Sequence, residues 1–286
     1  LRAVLVLGAL GFALLAAARP QVGARLVHVE REGVNVLVAL DVSLSMEASD
    51  VLPSRLQRSQ AEIRELFDRL RGNRVGILLF AGSPFLLTPL TVDVGAANLF
   101  LDAVDVDVLP DPGTNLEEAL RGALRALEDA GSETAGNLVV LFTDGEGHVG
   151  DPLEAARELA EAGIPVVTVG VGTPNGEPIP VLDAAGHLSG YKKDRSGNVV
   201  LSRLDEDTLR EIASITGGLY FPATLQGREV TDIVDLVARM ERGELGGSIR
   251  RRVEERFQIP ATVSAVFLVL AFLVPEARRE EKEDNA

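Results

Sequence analysis

Two kinds of apolar pattern alternate along the chain. Val34 to Leu40 is apolar at all but one position and rich in β-branched residues, as expected of a strand buried on both faces. Arg55 to Arg71 instead spaces Leu56, Ile63, Leu66, Phe67 and Leu70 at helical intervals among charges, which predicts an amphipathic helix. The alternation continues with a strand over Val75 to Phe80, a turn-rich stretch over Ser83 to Thr91 containing Pro84 and Pro89, and a helix capped by Asp93 that runs through Asp105. A helix over Leu116 to Asp129, a strand over Asn137 to Phe142, a helix over Pro152 to Ala162 and a strand over Ile164 to Val171 follow. Thr173 to Ser202 breaks the rhythm: its glycines and the Arg195-Ser196-Gly197-Asn198 turn predict a small β-hairpin insertion. A helix over Asp205 to Thr216, a short strand over Gly218 to Phe221 and a last helix over Val230 to Glu244 complete the pattern. Such alternation predicts an α/β fold, a doubly wound and mostly parallel sheet with helices on both faces, over residues 30–245.

Two apolar runs flank that domain. Ala3 to Ala18 follows Arg2 without a charge, and Ile259 to Val274 lies between Arg250-Arg251-Arg252 with Arg256 and Arg278-Arg279. At 1.5 Å per residue each covers about 24 Å, somewhat less than a hydrocarbon core of ~30 Å, and Leu1 with a snorkelling Arg19 can extend the first. They are read as transmembrane segments at 1–20 and 257–275, with a charged tail at 276–286. A secretory leader cleaved near Ala16-Ala17-Ala18 is the rival for the first run, and Pro20 argues against it. A buried C-terminal helix is the rival for the second.

Composition narrows the function. With 43 acidic against 28 basic residues and a formal charge of -15, the chain repels phosphate backbones, so nucleic acid is not expected as a partner. The absence of cysteine excludes disulfides, thiolate metal sites and cysteine nucleophiles. His28, His148 and His187 lie in three separate segments, which argues against a histidine-rich zinc site or a serine-histidine relay.

The candidate chemistry begins where the first domain strand ends. Asp41-Val42-Ser43-Leu44-Ser45 places one carboxylate and two hydroxyls at alternate positions, oxygen-only chemistry suited to a hard cation such as Mg²⁺. Thr114, in Pro112-Gly113-Thr114-Asn115-Leu116-Glu117, stands at a helix start, and Asp144 stands at the carboxyl end of a strand. In a doubly wound sheet these three segments converge outside the carboxyl ends of the strands, where strand order reverses. Each segment also has a local reading. Short polar residues after a strand make turns, Thr114 with Glu117 satisfies the spacing of a capping box, and Asp144-Gly145 is a common turn dipeptide.

Together, D-x-S-x-S, a G-T pair before a helix and T-D-G-E after a strand resemble the metal-ion-dependent adhesion site of von Willebrand factor type A domains, over about Asn35 to Ala238. The flanking apolar segments, Ala18-Arg19-Pro20-Gln21, Asp41 through Met46, and Ser202-Arg203-Leu204-Asp205-Glu206 after the insertion further resemble the BatB type of bacterial aerotolerance (Bat) proteins. Members of that family carry a further hydrophobic segment ahead of the one seen here, so the start is read as truncated. The resemblance implies that Ser43, Ser45 and Thr114 coordinate a metal through hydroxyls, with Asp41 and Asp144 acting directly or through water. Glu146 and Asn115 are not carried over as ligands. The implied cofactor is Mg²⁺, or Mn²⁺ or Ca²⁺.

These readings predict a binding module rather than an enzyme. A Mg²⁺ ion held largely by neutral hydroxyls keeps room for an outside carboxylate, so the expected partner is a protein supplying an Asp or Glu. The resemblance implies other Bat-type membrane proteins or a tetratricopeptide-repeat protein as partners, a role in envelope stress or oxygen tolerance, and a place in the bacterial inner membrane with the domain facing the periplasm. The alternatives are a metal-dependent hydrolase, for which no general base is visible, and a structural membrane scaffold with a vestigial metal site.

Overall fold

The strand Val34–Asp41 is buried at all eight of its positions, as a strand covered on both faces must be. It belongs to a computed structural model that describes residues 2–18, 21–27, 33–106, 108–131, 135–147, 149–183, 187–224, 227–242, 250–255 and 258–273. In chain order the elements are α1 (Arg2–Ala17), β1 (Gln21–Val27), β2 (Val34–Asp41), a 3₁₀ turn (Leu44–Glu47), α2 (Arg55–Arg69), β3 (Arg74–Phe80), β4 (Pro84–Thr91), α3 (Val94–Asp102) and α4 (Leu116–Asp129). They continue with β5 (Gly136–Thr143), α5 (Pro152–Glu161), β6 (Val166–Gly170), β7 (Glu177–Pro178), β8 (Pro180–Leu182), β9 (Leu188–Tyr191), β10 (Leu201–Ser202), α6 (Glu206–Thr216), β11 (Tyr220–Pro222), α7 (Arg228–Glu241), β12 (Arg250–Glu255) and α8 (Gln258–Leu273). They divide into two units, Glu30–Gly247 and the pair of terminal segments Leu1–Val29 with Ser248–Ala286.

The larger unit is built on a six-stranded sheet of order β11-β6-β5-β2-β3-β4. Every pairing is parallel except β3 with β4. Because side chains alternate across a strand, β2 feeds two cores at once. Val36, Val38 and Leu40 pack with Ile63 and Phe67 of α2, Leu101 of α3 and Ile233 of α7. Leu37 and Ala39 pack on the other face with Leu120 of α4, Leu159 of α5 and Ile212 of α6. The chain moves from β2 to β3 on one side and returns to β5 on the other, so strand order reverses between β2 and β5 and a crevice opens at their carboxyl ends.

Several sequence expectations are corrected here. Ser83 to Thr91, read as turns, is largely the antiparallel edge strand β4. Its prolines misled because Pro84 begins the strand and Pro89 falls where the register slips between Ile77↔Thr88 and Val75↔Thr91, positions that need no ladder N–H. The insertion holds the expected hairpin about residues 195–198, where Lys193 bridges Val199 and Val200 N donates to Lys192 O at 2.9 Å, and adds two short antiparallel pairs, β7 with β10 and β8 with β9. Pro178 and Pro180 lack an N–H, so the stretch cannot ladder continuously, and buried Ile179 between them contacts both partners through its own N–H and carbonyl. At the predicted turn the Asp194 carboxylate accepts from the N–H groups of Ser196 and Asn198. α4 is capped by Asn115, whose Oδ1 accepts from Glu118 N at 3.1 Å, and Thr114 plays no part in the cap. Glu117 turns instead to Arg121 and to the N–H of Asp151.

In the smaller unit α1 and α8, 16 residues each, pack together. Phe12 and Phe267 stack with centroids 5.7 Å apart, and the Ser264 hydroxyl donates to the Ala9 carbonyl at 2.8 Å. Leu7, Leu10, Leu14, Val269, Phe272 and Leu273 point outward and are exposed. β1 and β12 form an antiparallel ladder that the apolar pattern did not predict. Among the described residues no helix is long and apolar enough to cross a membrane. The charged tail expected at 276–286 lies outside the described residues, as do His28 and His148.

A buried carboxyl pair joins α2 to α7. Glu62 and Glu229 are each 2% exposed; Arg58 Nε donates to Glu62 at 2.5 Å, and Thr224 donates to Glu229 through its N–H and hydroxyl. Burial first, and then Glu229, raise the Glu62 carboxyl to about 8. An acid whose folded pKa is raised keeps its proton while the unfolded chain has lost it, so this group's contribution to stability falls as pH rises from about 4.5 to about 8. Glu62→Gln is therefore expected to raise the melting temperature at pH 8 and to leave it nearly unchanged at pH 5, as thermal denaturation of the two proteins at both pH values will show.

Candidate metal centre

The crevice between β2 and β5 gathers the predicted site. Asp41 is the last residue of β2 and wholly buried, and Asp144, also wholly buried, follows the last residue of β5. Thr143 links them: its hydroxyl donates to Asp41 Oδ2 at 2.6 Å and accepts from Gly145 N at 3.0 Å. The other Asp41 oxygen accepts from Ser43 N at 2.9 Å. Burial first, and the Asp144 charge second, push the Asp41 carboxyl up to about 7, against the opposing hydrogen bonds from Thr143 and Ser43. Asp41 is thus a buried acid beside a second acid with neutral donors only.

Ser43 precedes the 3₁₀ turn and makes no side-chain capping bond, although it occupies the capping position. Its hydroxyl lies 3.0 Å from that of Ser45, and both serines are buried. Thr114, 5% exposed, is brought to the same end of the sheet by the loop ahead of α4. That loop is stitched to the end of β3 by Asn115 N donating to Ala81 O at 2.8 Å and Gly82 N donating to Asp111 O at 3.0 Å. Asp41, Ser43, Ser45 and Asp144 are therefore joined by bonds or close contacts through two neighbouring loops, whereas Thr114 arrives on a third loop without a hydrogen bond to the other four.

The donor set fits a hard divalent cation. Among the described residues no three His, Cys, Asp or Glu side chains cluster to hold a metal, so a cation at this crevice would have to rest on two carboxylates and hydroxyls. In an octahedron of ~2.0 to 2.1 Å bonds, adjacent ligand oxygens stand ~3 Å apart. The Ser43 and Ser45 oxygens have that separation.

The sequence profile of the von Willebrand factor type A domain matches residues 36–146. The chain is 38% identical to the conserved hypothetical protein BatB from Bacteroides thetaiotaomicron, whose crystal structure superposes with a TM-score of 0.69 over 73% of this chain and 100% of that one. It is 35% identical to an aerotolerance-related membrane protein from Bacteroides fragilis, with a TM-score of 0.68 and the same coverage. A UPF0353 protein from Nocardia farcinica is 32% identical over 248 residues, which is 81% of this chain and 69% of that relative. The chain is a von Willebrand factor type A protein of the Bat family, BatB type. It spans only about 59% of the length of UPF0353 relatives from Mycobacterium.

In this Bat-type domain the residue that sequence reasoning missed is Arg55. The first residue of α2, it is wholly buried and reaches two carboxylates at once. Nε and Nη2 donate to the two oxygens of Asp50 at 2.8 Å each, and Nη1 donates to Asp144 Oδ2 at 2.8 Å. Nη1 also donates to the Ser202 hydroxyl at 2.6 Å, and that hydroxyl donates on to Asp144 Oδ2 at 2.9 Å. Asp144 Oδ1 accepts only the Glu146 N–H, at 3.1 Å, so this oxygen keeps the freer lone pair. One signal in the sequence pointed to Arg55. A cation in the first turn of a helix opposes the helix dipole, and α2 has no acidic residue there, so a compensating carboxylate had to come from elsewhere.

Proposed function

We propose that this protein is a membrane-anchored binding module that holds a Mg²⁺-type cation at Asp41, Ser43, Ser45, Thr114 and Asp144 and uses it to capture an acidic side chain of a partner protein. The observation that carries the reading is the pair of uncapped, buried hydroxyls of Ser43 and Ser45 3.0 Å apart beside the buried Asp41. Arg55 pairs with Asp50 and Asp144, while Asp41 beside Asp144 has only neutral donors, so a cation bound between Asp41 and Asp144 would meet a carboxylate with no cationic partner of its own. When bound, the cation supplies an electrophilic position for an outside Asp or Glu. The chain's own residues do the rest. Thr143 and the Ser43 N–H fix Asp41, Arg55 and Ser202 fix Asp144, and the neutral hydroxyls leave the cation's charge unquenched. Among the described residues no histidine joins the site, and the position two residues after Asp41 is Ser43 rather than a second carboxylate, which supports binding over hydrolysis.

The helix pair α1 and α8 supports the anchoring. Its outward leucines, valines and Phe272 form an apolar exterior suited to lipid rather than water. At about 24 Å each the helices fall short of a ~30 Å core, and local thinning of the bilayer accommodates such a mismatch. The likeness to BatB and to an aerotolerance-related membrane protein supports a place in a bacterial envelope complex for stress or oxygen tolerance. Within that reading the complex sits at the inner membrane with the domain in the periplasm, and other Bat-type proteins or a tetratricopeptide-repeat protein supply the carboxylate.

The test is affinity purification of the full chain from membranes, run in parallel with Mg²⁺ and with EDTA, alongside calorimetric titration of the purified chain with MgCl₂ and MnCl₂. A partner retained only with Mg²⁺, together with measurable heats, is the expected result. Equal recovery in EDTA, or no heat in millimolar metal, overturns it.

A further inference from the structure

The insertion is fastened to the candidate metal centre at both of its ends. At its start, Asp50 Oδ2 accepts from Thr173 N at 2.8 Å and from the Thr173 hydroxyl at 3.0 Å. At its end, Ser202 is wholly buried; its hydroxyl bridges Arg55 and Asp144, and its carbonyl accepts from Arg55 Nη2 at 3.2 Å. Just beyond, Arg203 N donates to Glu146 at 2.9 Å and Asp205 N donates to the Asp144 carbonyl at 2.8 Å. Gly172, at φ +135, lies so close to the guanidinium that an added Cβ would fall 2.8 Å from Arg55 Cζ. The backbone entering the insertion is thus moulded onto Arg55. The bonds at the two ends meet in one buried bridge, Asp50–Arg55–Asp144, and Asp144 is a proposed metal ligand.

We propose that Arg55 and Ser202 are positioning residues that couple metal binding at Asp144 to the placement of the 173–202 insertion. The inference rests on the metal reading above. A guanidinium fork can hold Asp50 and Asp144 in fixed mutual orientation, which an ammonium cannot do, and with Oδ2 doubly engaged Asp144 Oδ1 is left with the Glu146 N–H alone. Orienting partners of a metal ligand typically change metal affinity 10- to 100-fold when removed. The coupling is reciprocal: if the ends of the insertion order Asp144 for the cation, the cation orders the ends of the insertion by the same factor. The insertion then stands as a rim whose position is set by metal occupancy.

The test uses the full chain in detergent micelles, with no partner present. Two quantities are read: Mg²⁺ affinity by calorimetry, and hydrogen exchange of peptides covering 173–204 in EDTA and in saturating Mg²⁺. In the wild type, Mg²⁺ is expected to slow exchange in those peptides. Ser202→Ala leaves the Arg55–Asp50 pair in place, and Arg55→Lys keeps the buried charge. Ser202→Ala is expected to weaken Mg²⁺ binding about tenfold and Arg55→Lys up to about a hundredfold. Both are expected to abolish the Mg²⁺-dependent slowing. Wild-type Mg²⁺ binding with unchanged affinity in both variants, or with exchange over 173–204 indifferent to Mg²⁺, overturns the coupling while the metal reading stands. Absence of Mg²⁺ binding in the wild type overturns both.

Discussion

Asp41→Asn is expected to have two effects of opposite sign: loss of Mg²⁺ binding by more than about 100-fold, and a gain in stability of the metal-free fold. The side chain is wholly buried and its carboxyl is raised to about 7 by burial and by Asp144, so the charged form is held at a cost in the absence of a cation. Asparagine keeps the shape and can still accept the Ser43 N–H, while the charge that opposes Asp144 is gone. The metal then loses its only carboxylate from β2. Such a trade, stability given up where function needs unbalanced charge, is what distinguishes a binding centre from a turn that happens to be polar. Calorimetry with MgCl₂ and thermal denaturation in EDTA, on the same pair of proteins, read the two effects separately. A variant that binds Mg²⁺ as the wild type does removes Asp41 from the site. A variant less stable in EDTA shows that Asp41 serves the fold.

The parts of this protein that could be read from the sequence are those fixed by local periodicity. β2 announces itself because eight consecutive buried positions leave no polar alternation, and α4 matches its predicted span because Leu116, Leu120, Ala123 and Leu127 recur on one face. The three site loops were legible for a related reason. In a parallel sheet every strand ends on one side, so polar residues at successive strand ends are brought together by topology alone. β4 was missed because its prolines disguise an edge strand, and the paired segments β1 and β12 because neither carries a pattern that tells of a partner more than two hundred residues away. Arg55 was missed for the strongest reason. Its partners Asp144 and Ser202 lie 89 and 147 residues along the chain, and among the charges of α2 a buried arginine looks like a solvated one. The cap of α4 shows the opposite error. Thr114 and Glu117 fit a capping spacing, yet Asn115 takes the role, which leaves the threonine hydroxyl out of the helix and in the loop facing the crevice end of the sheet.

Arg55→Met is expected to destabilise the domain by roughly 3–5 kcal/mol in EDTA, because it strips the Asp50–Arg55–Asp144 network of its cation. Methionine fills much of the volume, so the loss is electrostatic rather than a cavity. Asp50 and Asp144 remain, both turned inward, and Asp144 is then left with Ser202 and the Glu146 N–H as its donors. A bound divalent cation can stand in for the lost guanidinium at Asp144 and cannot do so at Asp50, whose remaining donors belong to Thr173. Saturating Mg²⁺ is therefore expected to restore part of the lost stability, and more of it than the same Mg²⁺ adds to the wild type. Adding Asp50→Asn to Arg55→Met removes the second orphaned charge and is expected to recover stability in EDTA, so that the double variant is more stable than the single one. Thermal denaturation of the four proteins, with and without Mg²⁺, measures each effect. If Arg55→Met lowers stability equally in EDTA and in Mg²⁺, the arginine and the cation do not share Asp144. If the double variant is no more stable than the single one, Asp50 is not held by the charge of Arg55.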